Sequence, residues 1–247
     1  MRGLRRVKNY LAALGLIPDP RWAERPAHGY LEDHHPDREW FVSFMLLRRL
    51  SSILEVGAGS CHELRMLAAR GGLAATNYTV VDGASQFLRA GKKEFPQVQF
   101  RKANIRRLPF SDGAFDVSYV KSVIEHQRHY ERPVSELIRV SRRLIIINMF
   151  QWAKPGEGDI ITRKKYYQNS YALVPLIDFM RKRLHAVLSF LILKGDAIGE
   201  NYSDDPRGVR TGDHLVILGM KEDVPELSRL ALDAVAQRGL RVVHPYP

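Results

Sequence analysis

Cysteine is almost absent from this chain: there is one, Cys61, in 247 residues. A single thiol cannot close an internal disulfide, and such usage suits a reducing compartment, so a cytoplasmic protein is expected. Long apolar runs are missing too. None approaches the ~20 residues that a membrane-spanning helix requires. The first residues are too short and too polar a stretch for a secretory signal, and no small-residue cleavage site follows them. Metal-ligand spacing is also lacking. His34 and His35 adjoin acids, but neighbouring residues do not share a helix face and no H-x-x-x-H occurs, so no metal is predicted. Acidic residues are scarce relative to basic ones, 27 against 38, giving a net charge of +11. That balance favours anionic partners such as phosphates or nucleic acid without selecting one. The arginines and lysines are scattered in short clusters (Arg101 to Arg107, Arg139 to Arg143, Arg163 to Lys165, Arg181 to Arg183), each of which reads first as a solvated face. Internal repeats and low-complexity tracts are absent.

What is present is alternation. From 53 to 150, short apolar runs alternate with helical patterns, which predicts a parallel sheet with helices on both faces. Strands are expected at 52–56, 78–82, 98–101, 115–120 and 144–147, and helices from the turn after strand one to about 70, near 85–94 and over 132–142. Leu144 to Ile147 is a continuous apolar run, as a central buried strand should be. The organising stretch is Ile53-Leu54-Glu55-Val56-Gly57-Ala58-Gly59-Ser60. It reads as strand, tight glycine turn, helix. Gly57 and Gly59 allow dihedrals that a Cβ would penalise and let a ligand approach the backbone. A dinucleotide loop would place a third glycine where His62 stands, which favours a nucleoside-type cofactor without a pyrophosphate. Glu55, inside the strand, is an expensive carboxylate to bury and calls for a cationic partner.

Glu55-x-Gly57-x-Gly59 resembles the first motif of class I S-adenosylmethionine-dependent methyltransferases. Further parts follow in order: Tyr78-Thr79-Val80-Val81-Asp82, the segment Asn104 to Val117 with Leu108-Pro109-Phe110 and Phe115-Asp116-Val117, and Ser122-Val123-Ile124-Glu125-His126. The second and third resemble the subgroup that includes quinone and natural-product methyltransferases. The resemblance covers roughly 50–150. It implies a Rossmann-like, seven-stranded, mostly parallel sheet in one domain: a helical extension over 1–50, a cofactor-binding core over 51–150, a cap insertion over 151–184 after strand five, and carboxyl-terminal strands and helix over 185–247. Strands at 186–193 and 214–220 match the antiparallel pair of that fold, and a last helix is expected over 224–239.

The resemblance implies S-adenosyl-L-methionine as cofactor and S-adenosyl-L-homocysteine as product. It assigns cofactor binding to Glu55, Gly57, Ala58, Gly59, Asp82, Gly83, Asn104, Ile105, Lys121 and Ser122. Asp82 would accept the ribose hydroxyls, its bland alternative being a turn-capping residue before Gly83. Asn104 stands where relatives often have Asp near the adenine amine, with Ile105 beside the ring. For catalysis the candidates are His126 first, then Tyr166 and His214. For the acceptor they are Tyr30, His34, His35, Trp152 and Tyr167, from the segments flanking the core. Asp37 is expected to cap a helix over 38–50. Cys61 is read as a small packing residue. The (Asp/Asn/Ser)-Pro-Pro-(Tyr/Phe) motif of amino-methylating nucleic-acid enzymes is replaced by Lys121-Ser122-Val123-Ile124, and no cysteine follows strand four for cytosine C5 chemistry. No acidic cluster for a magnesium-dependent catechol-type enzyme is apparent. The expected acceptor is therefore an O or N atom of a small molecule. RNA modification, motivated by the charge, and a non-catalytic cofactor-binding partner subunit are the alternatives.

Overall fold

Strands rich in Val, Ile and Leu on both faces must be covered on both faces, and the computed structural model shows how. It describes residues 36–47, 50–153, 156–162, 167–192, 214–222 and 242–243. The expected helix near the amino terminus, Tyr30, His34, His35, Tyr166, the loop before 214 and the helix over 224–239 lie outside the described residues.

Eight strands form one sheet: β1 (Ser52–Val56), β2 (Asn77–Asp82), β3 (Gln99–Lys102), β4 (Phe115–Lys121), β5 (Ser141–Met149), β6 (Ala186–Ile192), β7 (His214–Met220) and β8 (Val242–Val243). The order is β3-β2-β1-β4-β5-β7-β6-β8. β3, β2, β1, β4 and β5 run parallel, and β7 inserts antiparallel between β5 and β6. This is the expected seven-stranded arrangement with a two-residue strand added at the far edge of β6. The described helices are α1 (Pro36–Leu47), α2 (His62–Ala69), α3 (Ser85–Glu94), α4 (Glu131–Val140) and α5 (Leu173–Arg181).

Alternation along each strand sorts the core into two layers. Ile53, Tyr78, Val80, Val117, Tyr119, Leu144, Ile146, Val216 and Leu218 face one side and pack with Trp40, Phe41, Phe44, Leu64 and Leu67 of α1 and α2. Leu54, Val56, Val81, Val120, Ile145, Ile147, Leu215 and Ile217 face the other and pack with Val134, Leu137, Leu176 and Met180 of α4 and α5. Phe41 stacks on Tyr119 with ring centroids 3.8 Å apart. Each fully buried Val, Leu or Ile is worth about 1.5–3 kcal/mol, so the two layers dominate the stability.

The chain order reverses between β1 and β4, since β1 continues toward β2 on one side and β4 toward β5 on the other. Loops leaving these two strands part at their carboxyl ends and open a crevice there. The glycine turn follows β1 and Ser122 follows β4, so both line that crevice.

Candidate functional site

The glycine turn is built by backbone strain and backbone hydrogen bonds. Gly57 and Gly59 have φ of 79° and 52°, and Cys61 takes φ of 58°. The Gly57 N–H donates to Val81 O at 2.7 Å, tying the turn to β2. A Cβ on Gly57 would stand 2.4 Å from Val123 Cγ2, so that glycine is required by the segment after β4. A Cβ on Gly59 would meet nothing within 4 Å. Open space therefore lies beside Gly59. Ser122, across the crevice, is the other described non-glycine residue with positive φ, at 54°. Such conformations cost of order 1–3 kcal/mol and persist where surrounding structure over-determines them.

Asp82 ends β2 beside this turn. Its Oδ2 accepts the Gly59 N–H at 3.1 Å and its Oδ1 accepts the Ala84 N–H at 2.8 Å. The acid thus caps its own turn and grips the glycine loop together. Burial raises its pKa, and the N–H groups of Ala84, Gly59 and Gly83 oppose that rise. With three N–H groups on about four lone-pair sites, the carboxylate keeps some acceptor capacity. Gly83 sits between Asp82 and Ala84 in the same turn, and Ala58 O accepts the Cys61 N–H at 2.8 Å. Asn104 Oδ1 accepts the Arg106 N–H at 3.0 Å, a local turn that fixes the amide, and Ile105 is buried in the second core layer.

Among the described residues no cation forms the ion pair with Glu55 expected from the sequence, and the charge of Lys121 only partly opposes the rise in its pKa. The Tyr78 hydroxyl donates to its Oε2 at 2.8 Å, and burial, followed by the nearby charge of Glu63, pushes its pKa up. The nearest lysine is otherwise engaged. Lys121 Nζ lies 2.7 Å from Asp37 Oδ2 and 3.2 Å from Glu63 Oε1. Glu63 also accepts from Arg38 Nε at 3.3 Å. Burial opposes ionisation of Glu63, yet Lys121 and Arg38 together hold its pKa below the ordinary value. Asp37 is likewise not the cap expected from the sequence. α1 begins one residue earlier, at Pro36, which places the fully buried Asp37 side chain inside the first turn, against β4, β5 and β7. Its Oδ2 accepts Asn148 Nδ2 at 2.6 Å.

The parity of the strands explains why these groups meet. Asp82, Glu55, Lys121, Asn148 and His214 all fall on the register positions of the first core layer, at the carboxyl ends of β2, β1, β4 and β5 and the start of β7. A polar row therefore crosses five adjacent strands at the crevice. The first turns of α1 and α2 contact this row through Asp37 and Glu63, with Arg38 paired to Glu63 and His62 beside it in the chain. His62 Nε2 is buried with no hydrogen-bond partner among the described residues. Burial and the charge of Arg38 lower its pKa to about 4, so the ring is neutral at pH 7.

His126 lies in the one-turn helix Ile124–His126, with Nδ1 2.7 Å from Tyr167 O and its ring centroid 5.9 Å from that of Phe150. Sequence candidates His126 and Tyr167 are therefore brought together, through the backbone carbonyl of the latter. Trp152 is buried in the second core layer. His214 is 8% exposed, and its Nδ1 is 2.6 Å from Asn148 Oδ1. Cys61 is buried and burial pushes its thiol up, which makes it an unreactive packing residue. Asn148 and Glu63 were not singled out by sequence, and Tyr78 and Glu125 stood inside the quoted motif segments without a role of their own. Asn148 carried a signal as a polar residue closing an apolar strand. Among the described residues no group of three or more His, Cys, Asp or Glu side chains could hold a metal ion. None of the described helices is long and apolar enough to cross a membrane.

The open space beside Gly59, the carboxylate of Asp82 held against the same turn and the partnerless His62 Nε2 fit a nucleoside-bearing cofactor at this crevice. Comparison with known proteins agrees. Residues 54–144 match a family described as a methyltransferase domain. The chain is 27% identical over 95 residues to the ubiquinone/menaquinone biosynthesis C-methyltransferase UbiE of Campylobacter jejuni, the match covering 38% of this chain and 40% of that protein. It thus spans less than half the length of this curated relative. Among solved structures it superposes on the complex between the Haloferax volcanii Trm112 methyltransferase activator and a methyltransferase, with a TM-score of 0.59 at 12% identity, over 84% of this chain and 99% of that one. It also superposes on the 1,6-didemethyltoxoflavin-N1-methyltransferase of Burkholderia thailandensis, solved with S-adenosylhomocysteine, with a TM-score of 0.54 at 16% identity, over 87% and 89% of the chains. At these identities the superpositions establish the fold. Residues 54–144 thus match the methyltransferase domain family, and the chain carries the fold of the methyltransferases on which it superposes.

Proposed function

We propose that the protein transfers a methyl group from S-adenosylmethionine to an O or N atom of a small-molecule acceptor. The observation that carries this reading is the juxtaposition of Gly59 and Asp82 through a 3.1 Å hydrogen bond between the ends of β1 and β2, beside the switch point, with open space beside the glycine. Asp82 accepts the ribose hydroxyls with its remaining lone pairs. Glu55 braces the turn from below through Tyr78. Asn104 and Ile105 border the base. Ser122, held in its strained conformation by an N–H bond to Asn148 O at 2.9 Å, borders the methionine end.

When bound, the cofactor supplies a methyl group already activated by positive sulfur. The protein must then align an acceptor in line with it, a contribution worth roughly 7–11 kcal/mol in favourable cases. It must also accept a proton if the acceptor arrives protonated. His126 and His214 are the described candidates, since an imidazole changes charge near neutrality. The test is a calorimetric titration with S-adenosylhomocysteine, followed by product release assayed across a panel of hydroxyl and amine acceptors. Saturable binding and turnover of a small molecule support the reading; binding of NADH in place of S-adenosylhomocysteine removes it.

One observation favours RNA as a second reading. Arg89, Lys92, Lys93, Arg101, Lys102 and Arg107 are all exposed on α3, on the edge strand β3 and just beyond it. Phosphate contacts would make binding steeply salt-dependent. Retention on mixed RNA no stronger at low salt than that of a neutral protein removes this alternative.

A further inference from the structure

Glu55 is a carboxyl group that the fold buries just before the glycine turn without pairing it to a cation. It is 2% exposed and ends β1 but for Val56. Its Oε2 accepts the neutral Tyr78 hydroxyl at 2.8 Å. The cations of this corner are bound elsewhere. Lys121 Nζ is 2.7 Å from Asp37 Oδ2 and 3.2 Å from Glu63 Oε1, and Arg38 Nε is 3.3 Å from the same Glu63 oxygen. Two neighbouring carboxyl groups are thus unequal. Glu63, between two cations, keeps its charge. Glu55 faces that charge from inside the protein, and burial followed by Glu63 holds its pKa above the ordinary value. The proton that such a pair shares therefore resides on Glu55. Open space borders Gly59, four residues further on, and Asp82 holds the Gly59 N–H at 3.1 Å. Asp82 is close enough for its charge to act on Glu55. A cation received beside Gly59 falls within the same field, since charges in a buried site are screened far less than in water.

We propose that Glu55 senses charge in the crevice: it gives a proton to water when S-adenosylmethionine, with its positive sulfur, binds, and takes one back when S-adenosylhomocysteine, with its neutral sulfur, stands there instead. The proposal rests on the methyltransferase reading above and adds how the site tells cofactor from product. In the free protein Glu55 stays protonated to a pH above the ordinary carboxyl value of 4.5. A positive sulfur favours the carboxylate and lowers that pH. Between the two values binding expels a proton, so affinity for S-adenosylmethionine rises with pH and levels off above the free-protein value. S-adenosylhomocysteine brings no charge on sulfur and expels no proton from Glu55. Once the methyl has left, Glu55 is again most stable as the neutral acid, and the site exchanges product for fresh cofactor more readily.

The other titratable groups around Glu55 do not mimic this response. On β2 and β4, burial raises the hydroxyls of Tyr78 and Tyr119, and just before α2 it raises the Cys61 thiol, so all three stay neutral. His62, at the start of α2, is lowered to about 4 by burial and Arg38 and is neutral as well. Asp37 and Arg38 of α1 are bound to Lys121 and Glu63. Asp82 is the rival. Burial raises it too, but three N–H groups oppose the rise, whereas Glu55 has one hydroxyl.

The experiment is calorimetric titration of the full chain with S-adenosylmethionine and, separately, S-adenosylhomocysteine, from pH 5.5 to pH 8.5. Repeating it in buffers of different ionisation enthalpy counts the protons released. The wild type is expected to release up to about one proton more with S-adenosylmethionine than with S-adenosylhomocysteine, and the affinity ratio of the two should grow roughly tenfold between pH 6 and pH 8. Glu55→Gln keeps an acceptor for the Tyr78 hydroxyl and has no proton to lose. Its ratio should follow only the titration of the ligands' own ammonium groups, which is common to both proteins. Equal proton release with the two ligands in the wild type overturns the proposal, even if the variant does not fold. Excess release that persists in Glu55→Gln overturns it as well and assigns the proton to Asp82. Binding of neither ligand refutes the methyltransferase reading, whereas binding of both with equal proton release refutes only the sensor.

Discussion

Glu125→Gln should make the protein's stability far less sensitive to alkali. Glu125 is fully buried after β4. Its Oε1 accepts the Phe150 N–H at 2.7 Å, joining the segments that follow β4 and β5. Its Oε2 has no partner among the described residues. Burial, only partly offset by these N–H bonds, raises its pKa from 4.5 to about 8. A raised carboxyl pKa places the extra proton on the folded state. The stabilisation is fully present below the unfolded value and is lost as pH rises through the folded one. The window therefore runs from about 4.5 to about 8. Across it the linkage amounts to roughly 5 kcal/mol at 1.36 kcal/mol per unit, and about 3 of these are already lost at pH 7. Gln keeps the shape and the acceptor for Phe150 but has no proton to lose. Urea denaturation of both proteins from pH 4 to pH 9 reads the effect. The gap between their midpoints should shift in favour of the variant as pH rises, by several kcal/mol in total. Parallel curves, with a gap independent of pH, would refute the reasoning that burial governs this carboxyl.

Other outcomes follow from the crevice. Gly57→Ala must displace Val123 from 2.4 Å and adopt positive φ, so it should destabilise by about 1–3 kcal/mol in thermal or urea melts. Gly59→Ala meets no atom within 4 Å, so it carries only the left-handed strain of roughly 1–2 kcal/mol, while its methyl enters the ligand space. It should lose cofactor affinity out of proportion to stability, and a Gly59→Ala protein with wild-type binding would move the ligand elsewhere. Tyr78→Phe leaves Glu55 without its 2.8 Å donor and should cost about 1–3 kcal/mol, measured by denaturation at pH 6. Lys121→Met leaves Asp37 and Glu63 buried without their shared cation and should destabilise by about 3–5 kcal/mol, a loss that no change at the exposed Lys92 reproduces.

The core was legible because its signals are local and periodic. β1, β2 and α3 begin and end within a residue or so of the positions read from apolar runs and turn residues. The antiparallel pair after β5 was legible for the same reason. The partnerships were not. Sequence placed a lone carboxylate in β1 and asked for a cation, whereas a tyrosine one strand away reaches it. Asp37 has the position of a helix cap, but its carboxylate accepts a buried hydrogen bond from Asn148, 111 residues later in the chain. Such pairings depend on sheet order and on which face a residue occupies, and only the strand register reveals them. Gly59 and Asp82 were readable as a pair because a glycine turn and an acid stand at the ends of adjacent parallel strands, a pattern visible in the local sequence.

Calorimetric titration of S-adenosylhomocysteine into the wild-type protein and into Asp82→Ala tests the central claim most directly. The wild type should bind one equivalent saturably. Removal of the carboxylate should weaken binding by at least ~1 kcal/mol, about fivefold, through lost charge-assisted hydrogen bonds. No binding by the wild type, or equal affinity in the two proteins, would contradict a cofactor held between Gly59 and Asp82.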